Sequence, residues 1–405
     1  MTIDLQELTG VDRAVVYKKG RPAARLTRRA DGVEFSYLPE YLGEGGSPVA
    51  TTLPVTAEPE FRPAGAVPPF FAGLLPEGRR LSALRVAVKT SGDDELSLLL
   101  AVGGDTVGDV QILPEGADPV AVEPRVRVAD WSEVSFADLF VEDVAGAVAV
   151  DRVGIPGVQD KVSAAMIAFP VAASGQRHIL KLDPPEVPHL VENEAFMLAA
   201  ARRSGLPTVD AEIVRDRDGA LGLLVGRFDR LPDGTMLAVE DGCQVLGRYP
   251  AAKYALTTEA VCSALATATD APIVAGRVLL RWVAVAYVTC NGDLHAKNLA
   301  VGERPDGSYR VTPAYDLPSS YPYGDLTLAL SVNGKRREDV ARGDLMALAA
   351  AVRVPGRAAA KVIDDVVARV DAWLPELADL PYDVGVLTKW RRAATYRARQ
   401  LSGHR

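Results

Sequence analysis

The stretch NGDLHAKN, residues 291–298, places five polar side chains directly after an apolar run of the chain. Asp293 and Asn298 have the spacing D-x-x-x-x-N, which is that of the catalytic loop of protein kinases. In that chemistry the carboxylate accepts the proton of an attacking hydroxyl. The amide oxygen can bind a magnesium ion that bridges the phosphates of a nucleotide. The pair therefore predicts a loop for phosphoryl transfer.

A magnesium site of this kind needs a second acid, and Asp316 is the candidate. Asp316 ends the stretch YRVTPAYD, residues 309–316, whose pattern predicts a strand. A carboxylate delivered at the end of a strand has the placement of the metal-binding aspartate in kinases. Taken alone, Asp316 can equally be a turn residue ahead of Pro318.

A kinase also needs a cation for the nucleotide phosphates, and Lys181 in the predicted strand RHILKLDP, residues 177–184, is the candidate. A lysine in a buried strand is unfavourable unless it is paired. Glu194, in the helical stretch that follows, is its natural partner, because kinases pair a strand lysine with a helix glutamate. Upstream, the glycine turn GIPGVQDK, residues 154–161, can expose backbone N–H groups to phosphate oxygens.

Each of these signals has a simpler explanation when it stands alone. A D-x-x-x-x-N spacing arises by chance, a strand lysine can be a solvated edge residue, and a glycine turn is usually only a turn. Here the glycine turn, strand lysine, helix glutamate, D-x-x-x-x-N loop and second aspartate follow one another in the order in which kinases have them. That order predicts a kinase.

The composition agrees with a multidomain globular protein and excludes other classes. The 405 residues are 48% hydrophobic and 24% charged, and the formal charge of −8 argues against a wholly basic nucleic-acid-binding protein. The three cysteines are far apart, so they predict reduced thiols rather than a disulfide framework or a thiolate zinc site. The N-terminus lacks a signal-peptide pattern, and the most apolar run, residues 278–290, is too short to span a bilayer. We therefore expect a cytoplasmic protein.

The elements that position these residues divide into a β-rich half and a helical half. Alternating apolar residues predict a small antiparallel sheet from strands at 13–19, 23–29, 32–38 and 48–55. Prolines then disfavour regular structure until about residue 70. Helical patterns dominate from about residue 256 onward.

Nine stretches in order resemble the HipA family of serine/threonine protein kinases, the toxins of HipA–HipB toxin–antitoxin pairs. The resemblance covers nearly the whole chain. The matching stretches are PPFFAGLLPEG at 68–78, GIPGVQDK at 154–161, HILKL at 178–182, ENEAFMLAA at 192–200, GRFDR at 226–230, EDGCQ at 240–244, NGDLHAKN at 291–298, TPAYDL at 312–317 and LALSVNGK at 328–335.

The resemblance implies an α+β, kinase-like two-lobed fold in three parts. We expect a β-rich N-terminal subdomain at 1–115, a nucleotide-binding N-lobe at 130–255 and a helical catalytic C-lobe at 256–405.

The resemblance also implies a site that uses ATP and Mg²⁺. Asp293 would be the catalytic base, and Asn298 and Asp316 would be the metal ligands. His295 would support the loop geometry, or serve only as a hydrogen-bonding structural histidine. The implied nucleotide-binding residues are Pro156, Gly157, Val158, Gln159, Asp160, Lys161, Lys181, Gly226, Arg227, Phe228, Gln244, His295, Lys297 and Asn298.

Two positions depart from the family pattern. Gly154 stands where many HipA kinases have a serine whose autophosphorylation silences the enzyme. Because glycine has no hydroxyl, we expect this off-switch to be missing or relocated. Gly226 stands where a glutamate often precedes the RFDR segment, so side-chain help in adenine recognition would be lost.

The resemblance implies a small HipB-like helix-turn-helix antitoxin as partner, with operator DNA contacted through that complex. The basic C-terminal segment, residues 387–405, can contact DNA or can be a solvated helix face. The protein substrate would be a translation component such as an aminoacyl-tRNA synthetase. Two alternatives remain open: a small-molecule kinase of the aminoglycoside or choline kinase type, whose loop GDLHxxN is similar, and a catalytically silent corepressor.

Overall fold

Strands dominate the first part of the chain and helices the last part. The computed structural model describes residues 5–119, 124, 126–139 and 166–402. The strands are β1 Arg13–Lys18, β2 Arg21–Arg29, β3 Gly32–Tyr37, β4 Glu60–Pro63, β5 Val110–Pro114, β6 Val126–Val128, β7 Ile167–Ala173, β8 Gln176–Leu182, β9 Ala211–Arg215, β10 Leu221–Gly226, β11 Val239–Asp241, β12 Ala300–Glu303 and β13 Tyr309–Val311. The helices are α1 Pro39–Gly43, α2 Pro69–Ala72, α3 Gly78–Val88, α4 Glu95–Val102, α5 Leu190–Arg203, α6 Gly242–Val245, α7 Thr258–Thr267, α8 Pro272–Val288, α9 Arg342–Ala351, α10 Gly356–Ala368 and α11 Val384–Ser402.

The N-terminal subdomain contains an antiparallel sheet in the order β4-β3-β2-β1-β5. Its first hairpin turns at Lys19 and Gly20, which both have positive φ, as a tight two-residue hairpin requires. Apolar side chains of one face, such as Leu26 and Phe35, pack with Phe71 of α2 in a core of their own. The first three predicted strands are confirmed by β1, β2 and β3.

The fourth predicted strand, at 48–55, is wrong. That segment holds only an isolated bridge between Ala50 and Leu53, and β4 takes the edge position instead. The reason is a side chain: the Tyr37 hydroxyl accepts a hydrogen bond from Val49 N and donates one to Leu53 O, which occupies the backbone groups that a ladder would use. Pro63 is tolerated in β4 because an edge strand can lack a donor.

A second sheet, in the order β6-β7-β8-β10-β9, carries Lys181. In the β8–β10 ladder Lys181 lies opposite Leu223, so these two side chains share one face of the sheet. Leu180 belongs to the other face, which buries a small apolar cluster with Phe136 and Phe169. Helix α5 contacts β8, β9 and β10 and places Glu194 against Lys181.

The largest core of the described residues surrounds α8, in the helical part of the chain. Helices α7, α9, α10 and α11 contact α8, whose Trp282 and Tyr287 are almost completely buried. The charge of Arg281 within this apolar helix is explained by a hydrogen bond to Ser204 O and an ion pair with Asp365. The predicted helical character after about residue 256 is confirmed by α7, α8, α9, α10 and α11.

The three cysteines, Cys243, Cys262 and Cys290, are free and buried. Burial raises the pKa of the Cys243 thiol to about 12 and that of the Cys290 thiol to about 11. The free thiols agree with the prediction of reduced cysteines. Among the described residues, no helix is both long and apolar enough to span a membrane.

Candidate active site

Lys181 lies at the centre of a buried group of charges. Its Nζ donates hydrogen bonds to Glu194 Oε1 at 2.7 Å and Oε2 at 2.9 Å, and to Asp316 Oδ1 at 3.1 Å. The predicted pair of Lys181 and Glu194 is therefore present. The same ammonium group also connects β8 to Asp316, which lies 135 positions further along the chain.

Lys181 and Asp316 hold each other ionised despite their burial. Burial opposes the positive charge of Lys181, but Asp316 and Glu194 raise its pKa above the usual value. Burial also works against the charge of Asp316, yet the Lys181 ammonium lowers the pKa of that carboxyl. Burial raises the pKa of Glu194, and Lys181 offsets part of that effect. The arrangement keeps an ammonium and a carboxylate facing each other at neutral pH.

Asp316 is held by a loop rather than by the end of a strand. Strand β13 ends at Val311, five residues earlier than predicted, because Ala314 leaves the sheet to exchange backbone hydrogen bonds with Pro207 and Val209. Asp316 itself has φ of +55°, an unfavourable backbone conformation for a residue other than glycine. Such strain persists only where the surrounding contacts impose it, and it is frequent at functional sites.

The loop that contains Asp293 begins at a defined helix end. Cys290 has φ of +58°, and the hydrogen bonds from Cys290 N to Tyr287 O and from Asn291 N to Ala286 O form a Schellman motif. Gly292 then passes so close to Ser320 that a Cβ would lie 2.3 Å from its Oγ. The chain can therefore turn into the loop here only with a glycine.

Hydrogen bonds from several neighbours fix Asp293, which is buried. Its backbone N–H donates to Asn291 Oδ1 at 2.8 Å, and its backbone oxygen accepts from Asn298 Nδ2 at 3.0 Å. The Tyr254 hydroxyl donates to Asp293 Oδ1 at 3.1 Å. Sequence reasoning missed Tyr254, because its distance from Asp293 along the chain has no motif.

Asn298 and Asp316 could hold a magnesium ion. The Asn298 side chain lies close enough to Asp316 to help lower the pKa of its carboxyl, so the two predicted ligands lie together. They offer amide and carboxylate oxygens, the hard ligands that Mg²⁺ takes alongside waters and phosphate oxygens. In the described ranges no group of three or more His, Cys, Asp and Glu side chains could hold a metal alone. These residues fit an ion that is shared with a nucleotide.

His295 is neutral at physiological pH. Burial lowers its pKa to about 4, and the nearby Lys253 ammonium adds to that effect. Its ring packs edge-on against Tyr254, with 5.2 Å between the centroids. A neutral imidazole cannot supply positive charge to a phosphate, so this environment favours support of the loop geometry.

Lys297 points towards the N-terminal subdomain. Its Nζ lies 2.7 Å from Glu77 Oε1 and donates to Gly73 O at 3.2 Å. Glu77 also forms an ion pair with Lys253. Burial disfavours the Glu77 carboxylate, but the two lysines lower its pKa to about 2. Sequence reasoning did not identify Glu77 or Lys253 as neighbours of the site.

The strip at Gly226–Phe228 follows the end of β10. Gly226 N donates to Asp210 O at 2.8 Å, and Phe228 stacks on Tyr315 with centroids 5.9 Å apart. Arg227 is buried and is paired with two acids, Asp105 and Asp229. The Arg227 side chain therefore connects this strip to the N-terminal subdomain, and its backbone N–H donates to Arg177 O at 3.1 Å.

Both polar atoms of the Gln244 side chain form hydrogen bonds within the protein. Its Oε1 accepts from Asp241 N in a capping box that begins α6, and its Nε2 donates to Phe70 O at 2.9 Å. The predicted nucleotide loop lies outside the described residues: Gly154, Pro156, Gly157, Val158, Gln159, Asp160 and Lys161. The nucleotide roles of these residues stay predictions.

The basic C-terminal helix α11 contains two kinds of cation. Arg397 is buried and donates to Tyr287 O and Leu326 O, with its guanidinium 5.1 Å from the centre of the Tyr287 ring. It is a structural residue and cannot contact DNA. The exposed cations of this helix are Lys389, Arg391, Arg392 and Arg399.

Two protein-family descriptions match this chain. The family described as HipA-like C-terminal domain matches residues 153–374, more than half of the chain, and the HipA N-terminal domain matches residues 14–113. The chain belongs to the HipA family.

Two curated relatives agree with this HipA assignment. A putative kinase of Sinorhizobium fredii, Y4mE, is 30% identical over 352 residues, which cover 81% of this chain and 82% of the relative. The serine/threonine-protein kinase toxin HipA of Shewanella oneidensis is 27% identical over 315 residues, 71% of this chain and 70% of the relative.

A solved HipA structure has the same fold. HipA of Shewanella oneidensis MR-1, determined in complex with HipB and operator DNA, aligns with a TM-score of 0.77 at 19% identity. The alignment covers 97% of this chain and 100% of that one. The predicted α+β, kinase-like fold is confirmed.

Proposed function

We propose that this HipA-family chain is an ATP- and magnesium-dependent serine/threonine protein kinase. The observation that carries the proposal is the position of Lys181 between Glu194 and Asp316. Protein kinases need the ion pair of lysine and glutamate and the metal-binding aspartate in place at the same time. Here both contacts form within one buried group.

The residues divide the reaction between them. Asp293, oriented by Tyr254, accepts the proton of the serine or threonine hydroxyl as it attacks the γ-phosphoryl group. Lys181 would hold the nucleotide phosphates, and Asn298 and Asp316 would hold Mg²⁺. The bound ion supplies neutralisation of the charge that develops on the phosphate oxygens. The chain's own contribution is mainly alignment, as is usual for phosphoryl transfer.

We also infer that the chain acts as the toxin of a toxin–antitoxin pair. Its solved relative was determined with HipB and operator DNA, which supports a HipB-like antitoxin as partner here. The exposed cations of α11 would then contact DNA within such a complex. The substrate would be a translation component such as an aminoacyl-tRNA synthetase. Because Gly154 has no hydroxyl, autophosphorylation at that position cannot silence this enzyme.

The test is a labelling experiment with ATP that carries a labelled γ-phosphate, added to a bacterial lysate with the purified chain. We expect label on serine or threonine of a protein band, and mass spectrometry of that band identifies the substrate. The variant D293A should abolish labelling while it keeps the melting temperature, and D371N, a change at an exposed acid, serves as control. Label on small molecules alone would refute the protein kinase proposal and favour a small-molecule kinase.

A further inference from the structure

The N-terminal β-rich subdomain contributes a side chain to the surroundings of the catalytic loop. Glu77 lies at the N-cap position of α3, but its carboxylate makes no hydrogen bond to the backbone of that helix. It turns instead towards two lysines of the other subdomains, Lys253 and Lys297. Glu77 therefore does not cap its own helix and forms ion pairs with other parts of the protein instead.

One connection runs from Glu77 to the metal ligands through Lys297. The Lys297 ammonium is fixed by Glu77 and by Gly73 O, both from the N-terminal subdomain. The Lys297 backbone oxygen accepts a hydrogen bond of 2.9 Å from the Tyr315 hydroxyl. Lys297 directly precedes Asn298, and Tyr315 directly precedes Asp316. This hydrogen bond therefore joins the two residues next to the proposed metal ligands.

A second connection runs from Glu77 to the catalytic base through Lys253. The Lys253 ammonium lies 5.2 Å from the centre of the Tyr254 ring, and the Tyr254 hydroxyl donates to Asp293 Oδ1. The Lys253 backbone oxygen accepts from Ala296 N at 3.2 Å, within the catalytic loop. A shift of Lys253 would therefore move both the loop and the tyrosine that orients the base.

These ion pairs matter for the structure because the side chains that form them are largely buried. The side chains of Lys253 and Lys297 are 13% and 14% exposed, and that of Glu77 is 33% exposed. Without the carboxylate, two ammonium groups with little access to water would lose their ion-pair partner. They would separate to recover hydration, and the loop between Asp293 and Asn298 would move with them.

We propose that Glu77 is a positioning residue for phosphoryl transfer, by which the N-terminal subdomain aligns the catalytic loop. The inference rests on the proposed kinase function and extends it to a subdomain outside the kinase lobes. The β-rich subdomain then forms part of the catalytic unit and is more than a docking module attached to it.

The experiment compares E77Q with E240Q in the full chain. Glu240 also joins the N-terminal subdomain to the rest, because it accepts hydrogen bonds from Thr51 N and Oγ1, but in the part of the chain that the structure describes its carboxylate forms no ion pair with Lys253 or Lys297. Lysate labelling is measured against ATP concentration, and thermal unfolding is followed in parallel. We expect E77Q to lower the rate at saturating ATP about ten- to a hundredfold, the range expected when catalytic groups are misplaced.

Further readouts separate positioning from general stability. The apparent KM for ATP in E77Q should stay near the wild-type value, because the contacts of Lys181 are intact. E77D, which keeps the charge on a shorter side chain, should restore part of the rate, and E240Q should keep the wild-type rate even where it lowers the melting temperature.

Two results would overturn the inference and leave the kinase function standing. One is a wild-type rate in E77Q, and the other is a loss of rate that follows the melting temperature equally in E77Q and E240Q. A folded wild-type chain that labels no protein would overturn both proposals at once. The wild-type sample alone identifies that case.

Discussion

Asn298 Nδ2 donates a hydrogen bond of 3.0 Å to the backbone oxygen of Asp293. A proposed metal ligand and the proposed catalytic base are thereby held in one small ring of the chain. The same asparagine reaches Asp316. A shift of the proposed metal ligands is consequently passed to the backbone of Asp293 through the Asn298 amide, beside the contacts that Asn291 and Tyr254 make with Asp293.

Replacement of Lys181 by methionine should abolish phosphoryl transfer and also destabilise the protein. Without the ammonium, the buried carboxylates of Glu194 and Asp316 face each other unpaired, which is expected to reduce the free energy of unfolding by about 3–5 kcal/mol. The double variant K181M/E194Q should recover much of that stability but no activity. Urea unfolding and lysate labelling measure the two effects. A K181M chain as stable as the wild type would contradict the predicted role of the pair.

Replacement of Tyr254 by phenylalanine removes one hydroxyl from the site and leaves the ring in place. The lost hydrogen bond to the Asp293 carboxylate should lower the labelling rate at saturating ATP about tenfold, since hydrogen bonds to charged groups contribute about 1.5–3 kcal/mol. The same change at Tyr396, which is 46% exposed, should have no effect. Equal rates for Y254F and the wild type would show that Asp293 is oriented by its other contacts.

Removal of magnesium should abolish the stabilisation that ATP gives to the chain. Thermal unfolding is measured with ATP and EDTA, and again after Mg²⁺ is restored in excess. A ligand at one hundred times its Kd stabilises by about 2.7 kcal/mol, which is easily detected as a rise in melting temperature. In D316N the restored Mg²⁺ should add little. A full magnesium effect in D316N would place the metal elsewhere.

Acid should destabilise the protein through His295. Its pKa falls from 6.5 to about 4 on folding. Between pH 6.5 and pH 4 His295 is therefore protonated in the unfolded chain and neutral in the folded chain. The contribution of this group is present above pH 6.5 and is lost as the pH falls towards 4, by up to about 3 kcal/mol. Urea unfolding of the ligand-free chain at pH 7 and pH 4.5 should therefore show a smaller loss for H295N than for the wild type. The more exposed His189 provides the control variant H189N, and equal losses in wild type and H295N would refute the assignment.

The residues of the site that sequence patterns predicted are those with a local signature. Asp293 and Asn298 share a loop, and Lys181 and Glu194 are separated by one turn between a strand and a helix. The helical pattern predicted from about residue 256 onward likewise includes α8, which ends just before this loop. These features depend on short stretches of chain, so they can be recognised without tertiary structure.

The features that sequence patterns missed depend on packing between distant segments. Glu77 and Lys253 are 176 positions apart in the chain, and neither segment contains a motif that predicts their contact. The error at residues 48–55 has a similar cause, because alternation predicted a strand whose backbone groups are in fact taken by Tyr37. A sequence pattern indicates the conformation that a segment favours by itself, whereas these outcomes depend on contacts with side chains from distant parts of the chain.

The buried, weakly acidic thiols have a practical consequence. At neutral pH Cys243, Cys262 and Cys290 present almost no thiolate to solvent, so maleimides and other alkylating dyes should find no ready target on the native chain. A cysteine introduced on α3 and another on α11 would then accept fluorophores without background labelling. Distances between the N-terminal subdomain and the helical lobe could be followed in single molecules during turnover.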